Sequence, residues 1–171
     1  MKATRARVEQ QMTFNTAVNT TAPAGVPQIA ALCWRMHKSR IQVLLITSRE
    51  TGRWVIPKGW AMEGRTPSMA AAREAWEEAG VEGEMAEESV GMFHYDKVLR
   101  PSKLVPCDVQ VFALRVTRLA SRFPERHQRS RKWFDLDTAA RKVNEPSLRL
   151  LLAELPVKLT PPEAPTGLAA T

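Results

Sequence analysis

Residues 59–81 read GWAMEGRTPSMAAAREAWEEAGV, and the rest of the chain is best understood outward from this stretch. Thr66-Pro67 carries a helix start, because a threonine hydroxyl can accept from a free backbone N–H and proline suits the first helical position. Gly80 is a natural stop, since glycine readily takes the left-handed conformation that closes helices. The alanine-rich run between them predicts a helix ending at Ala79. At ~100° per residue, Glu74 and Glu78 lie one turn apart on one face, with Glu77 on its flank. Met69, Ala72, Ala75, Trp76 and Ala79 gather on the opposite side, the expected contact with a sheet. Arg73 stands one turn before Glu77, within ion-pair reach.

Three glutamates at the C-terminal end of a helix repel one another and oppose the helix dipole. Taken alone they would be a solvated acidic face. A hard divalent cation with oxygen ligands, Mg²⁺ or Mn²⁺, would offset both costs.

The surrounding residues favour the cation. They resemble the Nudix box, G-x5-E-x7-R-E-U-x-E-E-x-G-U with U a bulky aliphatic residue. Gly59, Arg73, Glu74, Glu77, Glu78, Gly80 and Val81 match at the required spacing. At ~1 in 15 per position, six invariant matches arise by chance in a chain this long on the order of 10⁻⁵ of the time. Two positions depart. Arg65 stands where the pattern has its first glutamate, and Ala75 where it has an aliphatic residue.

The resemblance implies an α/β/α sandwich around a mixed sheet, with the carboxylate helix following the box loop. It implies a divalent-metal hydrolase of phosphoanhydride bonds. Glu74 and Glu78 would be the principal metal ligands, Glu77 would bind metal directly or through water, and the Gly59 carbonyl would join them. Arg73 would orient the carboxylates. With Arg65 in place of a glutamate, an outer-shell carboxylate is missing and metal affinity is expected to suffer.

Upstream, Trp54-Val55-Ile56-Pro57-Lys58-Gly59 resembles the entry to the box in the branch acting on diphosphoinositol polyphosphates and dinucleoside polyphosphates. Downstream, Phe123-Pro124-Glu125 followed by Arg129, Arg131, Lys132, Trp133 and Phe134 resembles the same branch. Lys58 suits a point-charge phosphate contact, and Arg100, Arg115 and Arg129 suit bidentate ones. His94 is placed to reach the cleft, whereas His37 and His127 read as solvated turn residues. The rival functions are an RNA 5′-pyrophosphohydrolase and a non-catalytic module that senses a nucleotide.

The flanks supply the remaining elements. Gln28–Met36 and Ile41–Thr47 read as a hairpin about a polar turn, and Trp54–Ile56 as a short strand stopped by Pro57 with Lys58-Gly59 as a turn. Further strands are expected near Ser89–Tyr95, Val105–Val116 and Lys132–Leu136, with helices at Asp137–Val143 and Pro146–Leu155. Strands and helices mix without regular alternation, which favours a mixed sheet covered by helices. Residues 1–27 and 157–171 read as disordered tails about a domain at 28–156.

A formal net charge of +7 favours an anionic partner. A phosphorylated small molecule is expected, with nucleic acid as the alternative. No apolar run approaches the ~20 residues a membrane span needs. Cys33 and Cys107 lack metal-ligand spacing and read as buried free thiols, which points to the cytoplasm.

Overall fold

The computed structural model describes residues 24–159, so the expected N-terminal tail up to residue 23 and the end of the chain from residue 160 lie outside it. The elements follow in the order β1 (Val26–His37), β2 (Arg40–Thr47), β3 (Trp54–Val55), β4 (Lys58–Trp60), α1 (Pro67–Ala79), β5 (Val81–Arg100), β6 (Lys103–Leu119), β7 (Arg131–Asp135), α2 (Leu136–Lys142) and α3 (Pro146–Leu159). The strands form one mixed sheet in the order β3-β2-β1-β6-β5, with β4 beside β1 and β7 beside β2. β1 runs parallel to β6, and the other pairings are antiparallel.

The central strands are apolar without a break because both faces of the sheet are covered. Period-two alternation divides their side chains between two cores. Ala30, Leu32, Val43 and Leu45 point to one side, where Leu148, Leu151, Leu152 and Leu155 of α3 close over them. Ile29, Ala31, Cys33, Leu44 and Ile46 point to the other, under α1. The result is a three-layer α/β/α sandwich, as expected. Both cysteines are buried and unbonded. Among the described residues no helix is long and apolar enough to cross a membrane.

α1 begins and ends where the sequence signals stand. The Thr66 hydroxyl accepts from the Met69 N–H at 3.3 Å, and Gly80 closes the helix at φ 62°. Its buried face differs from the expected one. Ala70, Ala71, Ala75 and Ala79 are buried together with Glu78, whereas Met69 is exposed and Ala72 and Trp76 are only half-buried. The helix is thus rotated so that small alanines meet the sheet closely, and Ala75 occupies a place where a larger aliphatic side chain would hold the helix farther off.

Four boundaries also move: β1 starts at Val26, inside the expected tail of residues 1–27. Lys58-Gly59 is no turn: with Trp60 it forms β4, paired to β1 through Gln28, Ile29 and Ala30. β5 starts at Val81, well before Ser89, and its pairing with β6 shifts register around residues 83–91. α3 runs through Pro156 to Leu159, past the expected tail boundary at 157.

Candidate active site

β4 and the last two turns of α1 face each other across the edge of β1. A cavity of about 370 Å³ opens there, lined by Lys58, Gly59, Trp60, Glu74, Glu77, Glu78, Glu125 and Arg129 among others. It therefore gathers most of the residues singled out from the sequence. Arg73 lies outside it and donates from Nε to Glu77 Oε1 at 2.6 Å. Arg100, at the end of β5, and Arg115, an exposed β6 residue 3.6 Å from Glu84, are not among the lining residues. His94 does not line the cavity and pairs with Asp108 at 2.7 Å.

Glu78 is the most enclosed of the three glutamates. Its Oε2 accepts from the Lys58 backbone N–H at 3.1 Å, and its Oε1 accepts from Arg129 Nη2 at 2.5 Å. The Arg129 guanidinium is itself buried and donates also to Glu125 Oε2 at 2.6 Å and to the Thr47 carbonyl at 3.1 Å. Three of its five N–H groups are thus engaged by the protein, and Arg129 also lines the cavity. It organises carboxylates.

Glu125, named from the sequence only as part of the downstream motif, also lines the cavity. Its backbone N–H donates to the Glu77 carbonyl at 3.0 Å, so the loop carrying it docks onto the open end of α1. Arg131 donates to the carbonyls of Ala79 and Ala120, satisfying the same helix end. The two arginines relieve the mismatch between acidic side chains and the negative end of a helix.

Burial pushes the Glu74 carboxyl up to about 7, with Glu78, Glu77 and Glu125 adding repulsion and Arg129 opposing them. Burial also raises Glu78, against the pull of Arg129 and Lys58. The Lys58 ammonium is held below its usual range by burial, against the attraction of Glu78. A stability prediction follows from Glu74. Its ordinary value is 4.5, so the folded state binds more protons than the unfolded one between there and about 7. Its contribution is intact below pH 4.5 and is lost as pH rises through 7. In chelator, thermal melting should shift downward between pH 5 and pH 8, and Mg²⁺ or Mn²⁺ should flatten the slope. A chelated protein that gains stability over that window would contradict this electrostatic picture.

The donor set fits a hard cation. A Cβ built on Gly59 would meet Glu74 Oε1 at 2.2 Å, so only glycine lets this carboxylate reach the β4 backbone. The carbonyl of Gly59 and the carboxylates of Glu74, Glu77 and Glu78 are oxygen donors of the kind Mg²⁺ and Mn²⁺ prefer. Among the described residues no three such side chains are already drawn into a closed cluster. Arg73 holds Glu77 and Arg129 holds Glu78 instead. Gly59→Ala should therefore cut metal affinity ~10-fold or more by displacing Glu74, with the fold kept. Unchanged Mn²⁺ affinity in that variant would show the close approach to be incidental.

Known proteins are similar to this chain in sequence and in fold. Nudix hydrolase 12, mitochondrial, from Arabidopsis thaliana is 34% identical over 104 residues, covering 59% of this chain and 51% of that protein. Diphosphoinositol polyphosphate phosphohydrolase 3-alpha from Mus musculus is 32% identical over 123 residues, covering 70% of this chain and 71% of that protein. The chain spans between about half and two thirds of the length of its Arabidopsis relatives. A crystal structure of C. elegans Ap4A hydrolase shares the fold, with a TM-score of 0.58, 20% identity, and coverage of 80% of this chain and 99% of that one. The NUDIX domain model matches residues 26–155, and the chain belongs to the Nudix family.

Proposed function

We propose that this protein is a divalent-metal hydrolase of phosphoanhydride bonds, acting on dinucleoside polyphosphates or diphosphoinositol polyphosphates. The observation carrying this reading is the convergence of Gly59, Glu74, Glu77 and Glu78 beside Lys58 in one cavity. A cation held by those oxygens would neutralise phosphate charge and activate a water for in-line attack. The chain's own residues supply the rest. Lys58 brings a positive charge to the same wall, and Arg129 fixes the orientation of Glu78 and Glu125. The named activity of the mouse relative supports the choice of substrate class.

Arg65 does not weaken this reading. It is exposed on the turn before α1 and is not among the residues lining the cavity.

Phosphate release measured with Mg²⁺ and with Mn²⁺ tests the proposal. The panel comprises diadenosine polyphosphates, diphosphoinositol polyphosphates, ADP-ribose and 5′-triphosphate RNA. Turnover of either of the first two, abolished by chelator, is the expected result. Activity confined to the RNA would move the chain to the RNA-processing alternative, and inactivity on all four would refute a hydrolase of this class.

A further inference from the structure

Among the described residues, one buried side-chain oxygen has no hydrogen-bond partner: Oε2 of Glu145. Glu145 is 6% exposed and directly precedes α3. Its other oxygen accepts from Nη1 of Arg53, which lies 92 residues earlier, just before β3. Arg53 lines the same cavity as Lys58 and Glu74, and its side chain keeps 28% exposure.

The contact is single-pronged. Burying an ion pair while leaving one carboxylate oxygen unsatisfied is a poor way to stabilise a fold. It does leave the remaining guanidinium N–H groups unclaimed, since the Arg53 side chain makes no other hydrogen bond among the described residues. Lys58 stands in the same electrostatic neighbourhood, with Arg53 and Glu145 both acting on it. Its Nζ lies 5.1 Å from the centroid of the Tyr95 ring and is bound by no carboxylate among the described residues. Two cations on one cavity wall, one of them a fork held from behind, form a receptor for phosphate oxygens.

We infer that Arg53 binds a phosphate group of the substrate beside Lys58, and that Glu145 is the positioning residue that holds Arg53 there. The inference rests on the proposed phosphoanhydride hydrolase. It moves the arginine contact from Arg100, Arg115 and Arg129, all downstream of the family box, to Arg53 just upstream of it. It also ties the cavity to α3, on the opposite side of the sheet from α1.

The experiment is steady-state kinetics on diadenosine tetraphosphate, or on a diphosphoinositol polyphosphate if the wild type turns that over faster. Arg53→Ala should raise KM at least tenfold and lower kcat by much less, with Arg53→Lys intermediate because the charge stays and the fork is lost. Glu145→Ala should raise KM severalfold in the wild type and add nothing in the Arg53→Ala background. Glu145→Gln, which keeps an acceptor for Arg53, should restore most of the loss. If the wild type is active but Arg53→Ala leaves KM within threefold, or the two alanine variants act additively, the inference is wrong and the functional reading stands. If the wild type hydrolyses neither substrate, the functional reading falls first.

Discussion

Glu78→Gln should lower kcat at least a hundredfold while the protein stays folded. That factor corresponds to about 2.7 kcal/mol of lost transition-state stabilisation. The fold survives because the glutamine oxygen can still accept from one of the two donors that hold Glu78, Arg129 or the Lys58 N–H, although its amide NH2 then faces the other. What is lost is the charge, and with it a ligand that a hard cation requires. Destabilisation should stay near ~1–3 kcal/mol, the usual cost of weakening one buried hydrogen-bonded contact to a charge. Glu74→Gln should act alike on turnover. Glu77→Gln should be milder, since Glu77 sits on the flank against Arg73. Retention of more than a tenth of wild-type turnover by Glu78→Gln, in enzyme of native melting behaviour, would remove Glu78 from the ligand set.

Arg129→Ala should be the most destabilising single change at the site. One buried guanidinium joins Glu78 of α1, Glu125 of the following loop and the carbonyl of Thr47 at the end of β2. Removing it deprives two carboxylates and a carbonyl of the donor they share. Breaking a buried pair in this way costs about 3–5 kcal/mol. For a domain of this size that lowers Tm by on the order of 10 °C. Arg129→Lys should recover only part, because an ammonium cannot span three acceptors in the plane of a guanidinium. Denaturant unfolding and turnover should fall together in both variants. A stable Arg129→Ala protein whose only defect is a raised KM would restore Arg129 to the role of substrate contact.

The two arginine assignments show how far the sequence could be read. The limits of α1 were legible because they are local: a threonine hydroxyl before a proline, and a glycine free to adopt positive φ. The three glutamates were legible because helix geometry alone brings residues 74, 77 and 78 together. The start of β5 was not, because Glu82, Gly83, Glu84, Glu87 and Glu88 carry no apolar alternation. Glu82, Gly83 and Glu84 are held by pairing with β6, and Glu87 and Glu88 lie in the register shift between Met85 and Ser89. Lys58-Gly59 resembles a turn until β1 supplies a partner strand.

Side-chain roles that depend on distant partners stayed hidden for the same reason. Arg129 reaches Glu78 across 51 positions, and Arg53 reaches Glu145 across 92. No periodicity reports such a pairing. Arg115 was chosen for its charge and type. Its neighbours on β5 and β6 direct it toward Glu84 at the sheet surface.

On the proposed reading the α1 carboxylates hold the cation on which hydrolysis depends. The most direct measurement is Mn²⁺ titration followed by electron paramagnetic resonance, with turnover recorded on the same samples, for the wild type and for Glu74→Gln/Glu78→Gln. The account predicts saturable Mn²⁺ binding by the wild type, with turnover rising along the same curve, and loss of both in the double variant. Wild-type turnover that persists in chelator, or undiminished Mn²⁺ binding by the double variant, would contradict it.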